Sequence, residues 1–104
     1  MSLATIAGHE VHVDDEGFMT EYGEWNDELG ERLASNIGVE LTDRHWEVIR
    51  WLRDDYQKQG ETATLRRVTT MSGVPTKELF NLFPKKPAKK MAYIAGLPKP
   101  AGCV

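Results

Sequence analysis

Apolar and polar positions alternate near the start of this chain and then settle into a helical period. Ala4-Thr5-Ile6 and Val11-His12-Val13 are short runs on either side of Gly8-His9, and Asp14-Asp15-Glu16-Gly17 supplies a second turn signal. Such runs around glycine turns predict a small β-hairpin, continued by Phe18-Met19-Thr20 as a third strand. Two or three strands are marginal alone and must rest on an apolar surface supplied from elsewhere.

From Asn26 onward the period is helical. Asn26 can cap a helix with Asp27 and Glu28 in its first turn; Leu29, Leu33 and Ile37 repeat at spacing four, and Gly38 ends it. Thr42 caps the next helix, Trp46, Ile49, Leu52 and Tyr56 mark one face, and Gly60 closes the segment. A stripe of that spacing is what a core-facing helix needs, so it reads as core and not as a ligand site. Leu65, Val68 and Met71 predict a third helix over 62–71, broken by Ser72-Gly73-Val74-Pro75. Thr76 restarts a short helix carrying Leu79, Phe80 and Phe83, Pro84 and Pro87 interrupt it, and a last short helix spans 89–94. Beyond Ala95, two prolines remove donors and two glycines add freedom, which predicts an extended, partly mobile arm. The expected architecture is α+β: a small, mostly helical domain over 1–94 with an N-terminal β-hairpin, then a mobile C-terminal arm over 95–104.

Composition changes this picture little. The 104 residues make one small domain, 40% hydrophobic and 28% charged, with no apolar run long enough to span a membrane. Residues 1–10 lack the basic start and apolar stretch of a signal peptide, so the expected location is cytoplasmic, where thiols stay reduced. A single cysteine excludes an internal disulfide and a zinc site built on several thiolates. No metal or cofactor is expected.

Charge is more informative. Residues 1–62 hold 15 acidic and 5 basic side chains, whereas 63–104 hold one acidic residue, Glu78, and eight basic ones. The net −3 therefore hides two poles. Either the halves attract each other or the C-terminal half meets an acidic partner.

The candidate chemistry is Cys103, one residue from the C-terminus. It follows about seven residues without regular structure, a stretch reaching roughly 23–25 Å when extended. A thiolate so carried could enter another protein's active site, attack a sulfane sulfur, hold it as a persulfide and pass it on. Lys99 would favour the thiolate and the Val104 carboxylate would oppose it; the alternative is a stray thiol on a frayed end.

The wording of the arm weighs against that alternative. Ala95-Gly96-Leu97-Pro98-Lys99-Pro100-Ala101-Gly102-Cys103-Val104 closely resembles the C-terminal signature of the DsrC/TusE family of sulfur-relay proteins, AGLPKP followed by a penultimate Cys. Upstream, Asp15-Glu16-Gly17-Phe18 with Trp25, Leu41-Thr42-Asp43-Arg44-His45-Trp46, Asp54-Asp55-Tyr56, Leu65-Arg66, and Leu82-Phe83-Pro84 with Pro87-Ala88-Lys89 are similar, in order, to further family segments. The resemblance implies that Cys103 accepts sulfur from an upstream sulfur-transfer protein and delivers it to a downstream acceptor. That acceptor is a tRNA-thiolating enzyme in the TusE branch; in the DsrC branch the protein docks on dissimilatory sulfite reductase. The DsrC branch uses a second cysteine eleven positions before the last, where this chain has Ala92, which favours a single-cysteine, TusE-like carrier. Chain length in the region before Leu82 is closer to the sulfite-reductase-linked members. Lys86 stands where the family usually has Gly, and Arg67 where it usually has an apolar residue.

Secondary candidates follow. Arg66 could stabilise a thiolate or persulfide on a docked arm, or form a surface salt bridge. Lys85, Lys86, Lys89 and Lys90 could steer an acidic partner or form a solvated face. His45 reads as a packing or capping residue and not as a base. No nucleophile–base–acid set, phosphate loop or metal cluster is present in the sequence, so a carrier is expected in preference to a self-contained catalyst. A competing reading takes 65–84 as a helix-turn-helix, with 72–84 resembling the recognition half of TetR-type regulators and Arg66, Arg67, Lys77 and the lysines after Pro84 on DNA phosphates. Its second helix is short and apolar, poor in side chains for base edges.

Overall fold

The computed structural model describes residues 2–100. Strands β1 (Ser2–Ile6) and β2 (His9–Val13) pair antiparallel with Ser2 opposite Val13 and Ile6 opposite His9. They are joined by Ala7-Gly8, both at positive φ (51° and 81°), as a two-residue hairpin turn matched to the strand twist requires. Each strand is longer than the alternation suggested. The expected third strand is reduced to a single bridge between Val13 and Met19. Its place is taken by a tight loop in which the Asp14 carboxylate accepts from the N–H groups of Glu16 (2.9 Å) and Phe18 (3.0 Å).

Five helices follow: α1 (Asp27–Asn36), α2 (Asp43–Gln59), α3 (Leu65–Ser72), α4 (Thr76–Leu82) and α5 (Pro87–Ile94). Asn26 caps α1 by accepting from the Leu29 N–H at 2.9 Å. At the start of α2 the Thr42 N–H donates to His45 Nδ1 (3.1 Å), an imidazole version of the capping box. The other ring nitrogen, Nε2, donates to the Leu82 carbonyl at 2.7 Å. His45 is thus buried and spent on structure, tying the head of α2 to the end of α4 as the capping expectation required.

The hairpin lays Val11 and Val13 on Leu29 and Leu33 of α1, with Met19 beneath, which is the apolar support two strands need. The larger core gathers Val48, Ile49 and Leu52 of α2 with Val68, Leu79, Phe83, Met91 and Ile94. Trp25 and Tyr93 pack against both clusters and join them. Ala95 and Leu97 also belong to the core, fully buried, so the boundary expected at Ile94 is not visible in the packing. The mobile arm expected over 95–104 concerns, beyond Pro100, residues outside those described.

Candidate functional site

The segment Ala95–Pro100 is a helix stop followed by an anchored exit. At the end of α5, the Leu97 N–H donates to the Ala92 carbonyl (3.1 Å) and the Gly96 N–H to that of Tyr93 (3.3 Å). These two bonds, with Gly96 at φ +70°, make a Schellman motif, and Pro98 prevents any continuation. A Cβ on Gly96 would overlap the Trp25 ring, so glycine is required there on two counts. Ala92, where a second cysteine would stand, is a fully buried residue of α5.

Side chains from distant elements then hold the exit from several directions. Trp25 Nε1 donates to the Ile94 carbonyl (2.8 Å). The Arg53 guanidinium donates to the Ala95 carbonyl (2.7 Å) and the Tyr22 carbonyl (3.0 Å) while lying 3.9 Å above the Tyr22 ring and 4.2 Å from that of Trp25. Half-burial lowers its pKa from the ordinary value, and the two carbonyls and ring faces offset that cost. Thr62 Oγ1 donates to the Pro98 carbonyl (2.7 Å), and Lys99 Nζ to Glu16 Oε2 (2.6 Å). The Asp14 loop therefore has a use: it presents Glu16 to the exit. Arg53, Thr62 and Trp25 were not among the residues expected to matter here, and a lone Arg on the buried side of α2 was the available signal.

Cys103 lies outside the described residues. Covalent geometry limits its tether: Cys103 is three residue steps beyond Pro100, spanning at most about 10–11 Å. While the exit is held, that short span is the available reach, in place of the longer one estimated for a free arm.

The four lysines do come together. Lys85, Lys86, Lys89 and Lys90 line a cavity of about 420 Å³ with Phe18, Ile37, Tyr93 and Glu16. Their surroundings carry costs. Lys89 and Lys90 lie in the first turn of α5, whose dipole disfavours cations. Lys85 sits at φ +75° with the Lys86 N–H bonded to the Pro84 carbonyl (3.0 Å), a γ-turn that strains any residue with a Cβ. Lys86, the departure from the family's usual Gly, has φ −124° and is unstrained.

Arg66 is exposed and lines neither this cavity nor the smaller one beside Thr62, and among the described residues it makes no ion pair. Its neighbour Arg67 is the engaged one: Nη2 and Nε meet the buried Asp55 carboxylate at 2.7 and 3.0 Å, which raises the Arg67 pKa. An Asp on the core face of α2 was the signal for such a partner. The helix-turn-helix outline exists as α3 and α4, but α4 has seven residues and its Glu78 is held by Arg44 of α2 at 2.8 and 3.0 Å. An acidic residue on a short, tethered helix is poorly suited to a DNA groove.

Comparisons with known proteins agree with this geometry. The family described as DsrC like protein matches residues 5–104. The sulfurtransferase TusE of Escherichia coli (strain K12) is 38% identical over 109 residues, covering 98% of this chain and all of that protein, and the TusE of Shigella dysenteriae serotype 1 aligns to the same extent. Among solved structures, Allochromatium vinosum DsrC superposes with a TM-score of 0.85 at 33% identity, covering 98% of this chain and 97% of that one. The oxidized γ-subunit of dissimilatory sulfite reductase (DsrC) from Archaeoglobus fulgidus gives 0.80 at 34%, with 99% and 100% covered.

Proposed function

Because this chain belongs to the DsrC-like protein family, we propose that it works as a sulfur carrier in a relay and that Cys103 is the residue that is loaded. The observation that supports the assignment is the anchored exit over Ala95–Pro100, which fixes the point from which the chain continues toward Cys103.

The step is a thiol–persulfide exchange. The Cys103 thiolate attacks the outer sulfur of a donor persulfide, a new S–S bond forms at Cys103, the donor's S–S bond breaks, and the donor leaves as a thiolate. Delivery repeats the exchange: a nucleophile of the acceptor takes the outer sulfur, and Cys103 departs as thiolate. One sulfur atom moves at the zero-valent level and no external oxidant or reductant is consumed. No neighbouring thiol at position 92 can displace the sulfur internally, so the loaded form persists until an acceptor arrives. That property favours a TusE-like place, handing sulfur toward tRNA 2-thiouridine synthesis, over the two-cysteine chemistry of the DsrC branch at sulfite reductase.

Intact-mass spectrometry after incubation with a cysteine desulfurase, cysteine and an upstream sulfur-transfer protein tests the assignment. Wild type should gain one reducible sulfur atom and Cys103→Ser should gain none. Gain on both, or on neither, overturns Cys103 as the carrier. Chasing the loaded protein with a tRNA-thiolating enzyme or with sulfite reductase then identifies which acceptor discharges it.

A further inference from the structure

We propose that the lysine-rimmed cavity is the docking site for an acidic segment of a partner protein that also carries an apolar side chain. The inference rests on the carrier reading above, since a carrier must be held by whatever fills or empties it, and it names the chemistry of that partner.

Four lysines border the cavity while Phe18, Ile37 and Tyr93 supply apolar surface within it. Among the described residues none of the four has an ion-pair partner, and the one carboxylate on the rim, Glu16, is engaged by Lys99. Like charges are thus crowded together, and among the described residues the one acid beside them, Glu16, is already paired with Lys99. Two of them stand at a helix N-terminus, and Lys85 is held in a strained γ-turn between Pro84 and Lys86. Among the described residues no ion pair offsets the charge of these four lysines, and an incoming carboxylate would. The apolar lining suits the side chain of a peptide better than the backbone of a nucleic-acid duplex, whose bases are paired and stacked away from Phe18 and Ile37. The chain's net charge of −3 and its acidic N-terminal half also oppose a long polyanion, while a short acidic segment feels mainly the local lysines. Position supports the assignment: Glu16 belongs both to the cavity and to the anchored exit, so a partner seated here lies beside the segment that leads to Cys103.

Calorimetric titration of the full-length protein with an acetylated hexapeptide, Glu-Asp-Leu-Phe-Asp-Glu, tests the proposal. Saturable binding is expected, weakened at least about tenfold by the double substitution Lys89→Glu, Lys90→Glu. A peptide with Ser-Gly replacing Leu-Phe should bind several-fold more weakly. Lys85→Gly should weaken binding while leaving the melting temperature equal or higher, because it removes a charge and relaxes the γ-turn; this variant separates lost docking from lost folding. Absence of binding, indifference to these substitutions, or tighter binding of an RNA hairpin of matched charge each overturns the proposal. So does a concentration-dependent dimer that the peptide dissolves, which would make a second copy the natural occupant. The two readings fail separately. Wild type that binds peptide but gains no sulfur keeps the docking site and loses the carrier; one that gains sulfur but ignores the peptide does the reverse. Cys103→Ser should bind the peptide as wild type does.

Discussion

Gly38 and Gly96 hold the same left-handed backbone, φ +72° and +70°, in surroundings that differ completely. Nothing lies within 4 Å of a Cβ built on Gly38, whereas one on Gly96 runs into Trp25. Gly38→Ala should cost only the backbone term, about 1 kcal/mol, while Gly96→Ala adds a steric overlap with an anchored ring and should cost about 3–4 kcal/mol. Urea unfolding of both variants checks the difference, and equal losses would mean that Trp25 yields easily. Arg53 is the other residue with a large expected effect. Arg53→Met keeps much of the stem's packing but leaves the Ala95 carbonyl without the Arg53 donor and the Tyr22 carbonyl with the long bond from the Trp25 N–H (3.5 Å), for a loss of about 2–3 kcal/mol in the same measurement.

Between elements, two carboxylates held by hydrogen-bond donors should make the fold sensitive to acid. Glu78 is held below its ordinary pKa by the hydrogen bonds from Arg44 that join α4 to α2. Glu24 is lowered chiefly by the backbone N–H of His12 in β2, at 2.8 Å, and then by the ring Nδ1 at 2.7 Å. A carboxylate whose pKa is lower folded than unfolded stabilises the fold above its unfolded value; that contribution disappears as pH falls through the folded value. Stability should therefore decline below about pH 4.5, and Glu24→Gln or Glu78→Gln should flatten the decline in thermal melts taken from pH 6 to pH 3. An unchanged slope in both would remove these pairs as its cause. How much of this level could be foreseen follows from where each signal lies. α1 and α2 were legible because cap, apolar period and terminal glycine all fall within one segment. The Asp14 loop displaced an expected strand because a side-chain carboxylate took the N–H groups a ladder would have used. The Asp55–Arg67 pair was not legible in the sequence because its partners lie on different helices, twelve residues apart. The lysine cluster was visible as composition, but its apolar lining comes from Phe18 and Ile37, far away in the chain, and only the packing of α5 brings them together.

Across the whole molecule, the acidic and basic halves of the chain are not fully neutralised against each other. Pairs such as Arg44–Glu78, Arg67–Asp55 and Lys99–Glu16 cross between them, yet the cluster at Lys85, Lys86, Lys89 and Lys90 remains outside these pairs. Encounter with an acidic protein donor should therefore be electrostatically steered. Raising ionic strength from about 0.05 to about 0.5 M should slow sulfur loading from such a donor at least about tenfold, with much less effect on loading by inorganic polysulfide, which needs no docking. Equal slowing in rapid-quench mass measurements would point to the thiolate itself and not to docking.

Trp25 has an optical consequence. Its indole touches Gly96 and donates to the Ile94 carbonyl, so the colour of its emission depends on whether the exit is seated. With Trp46 and Trp51 replaced by Phe, Trp25 becomes the sole indole, and lifting of the exit would wet it and shift its emission to the red. The chain thus contains its own unlabelled gauge of whether a partner pulls this segment free or takes the sulfur with the anchor still in place.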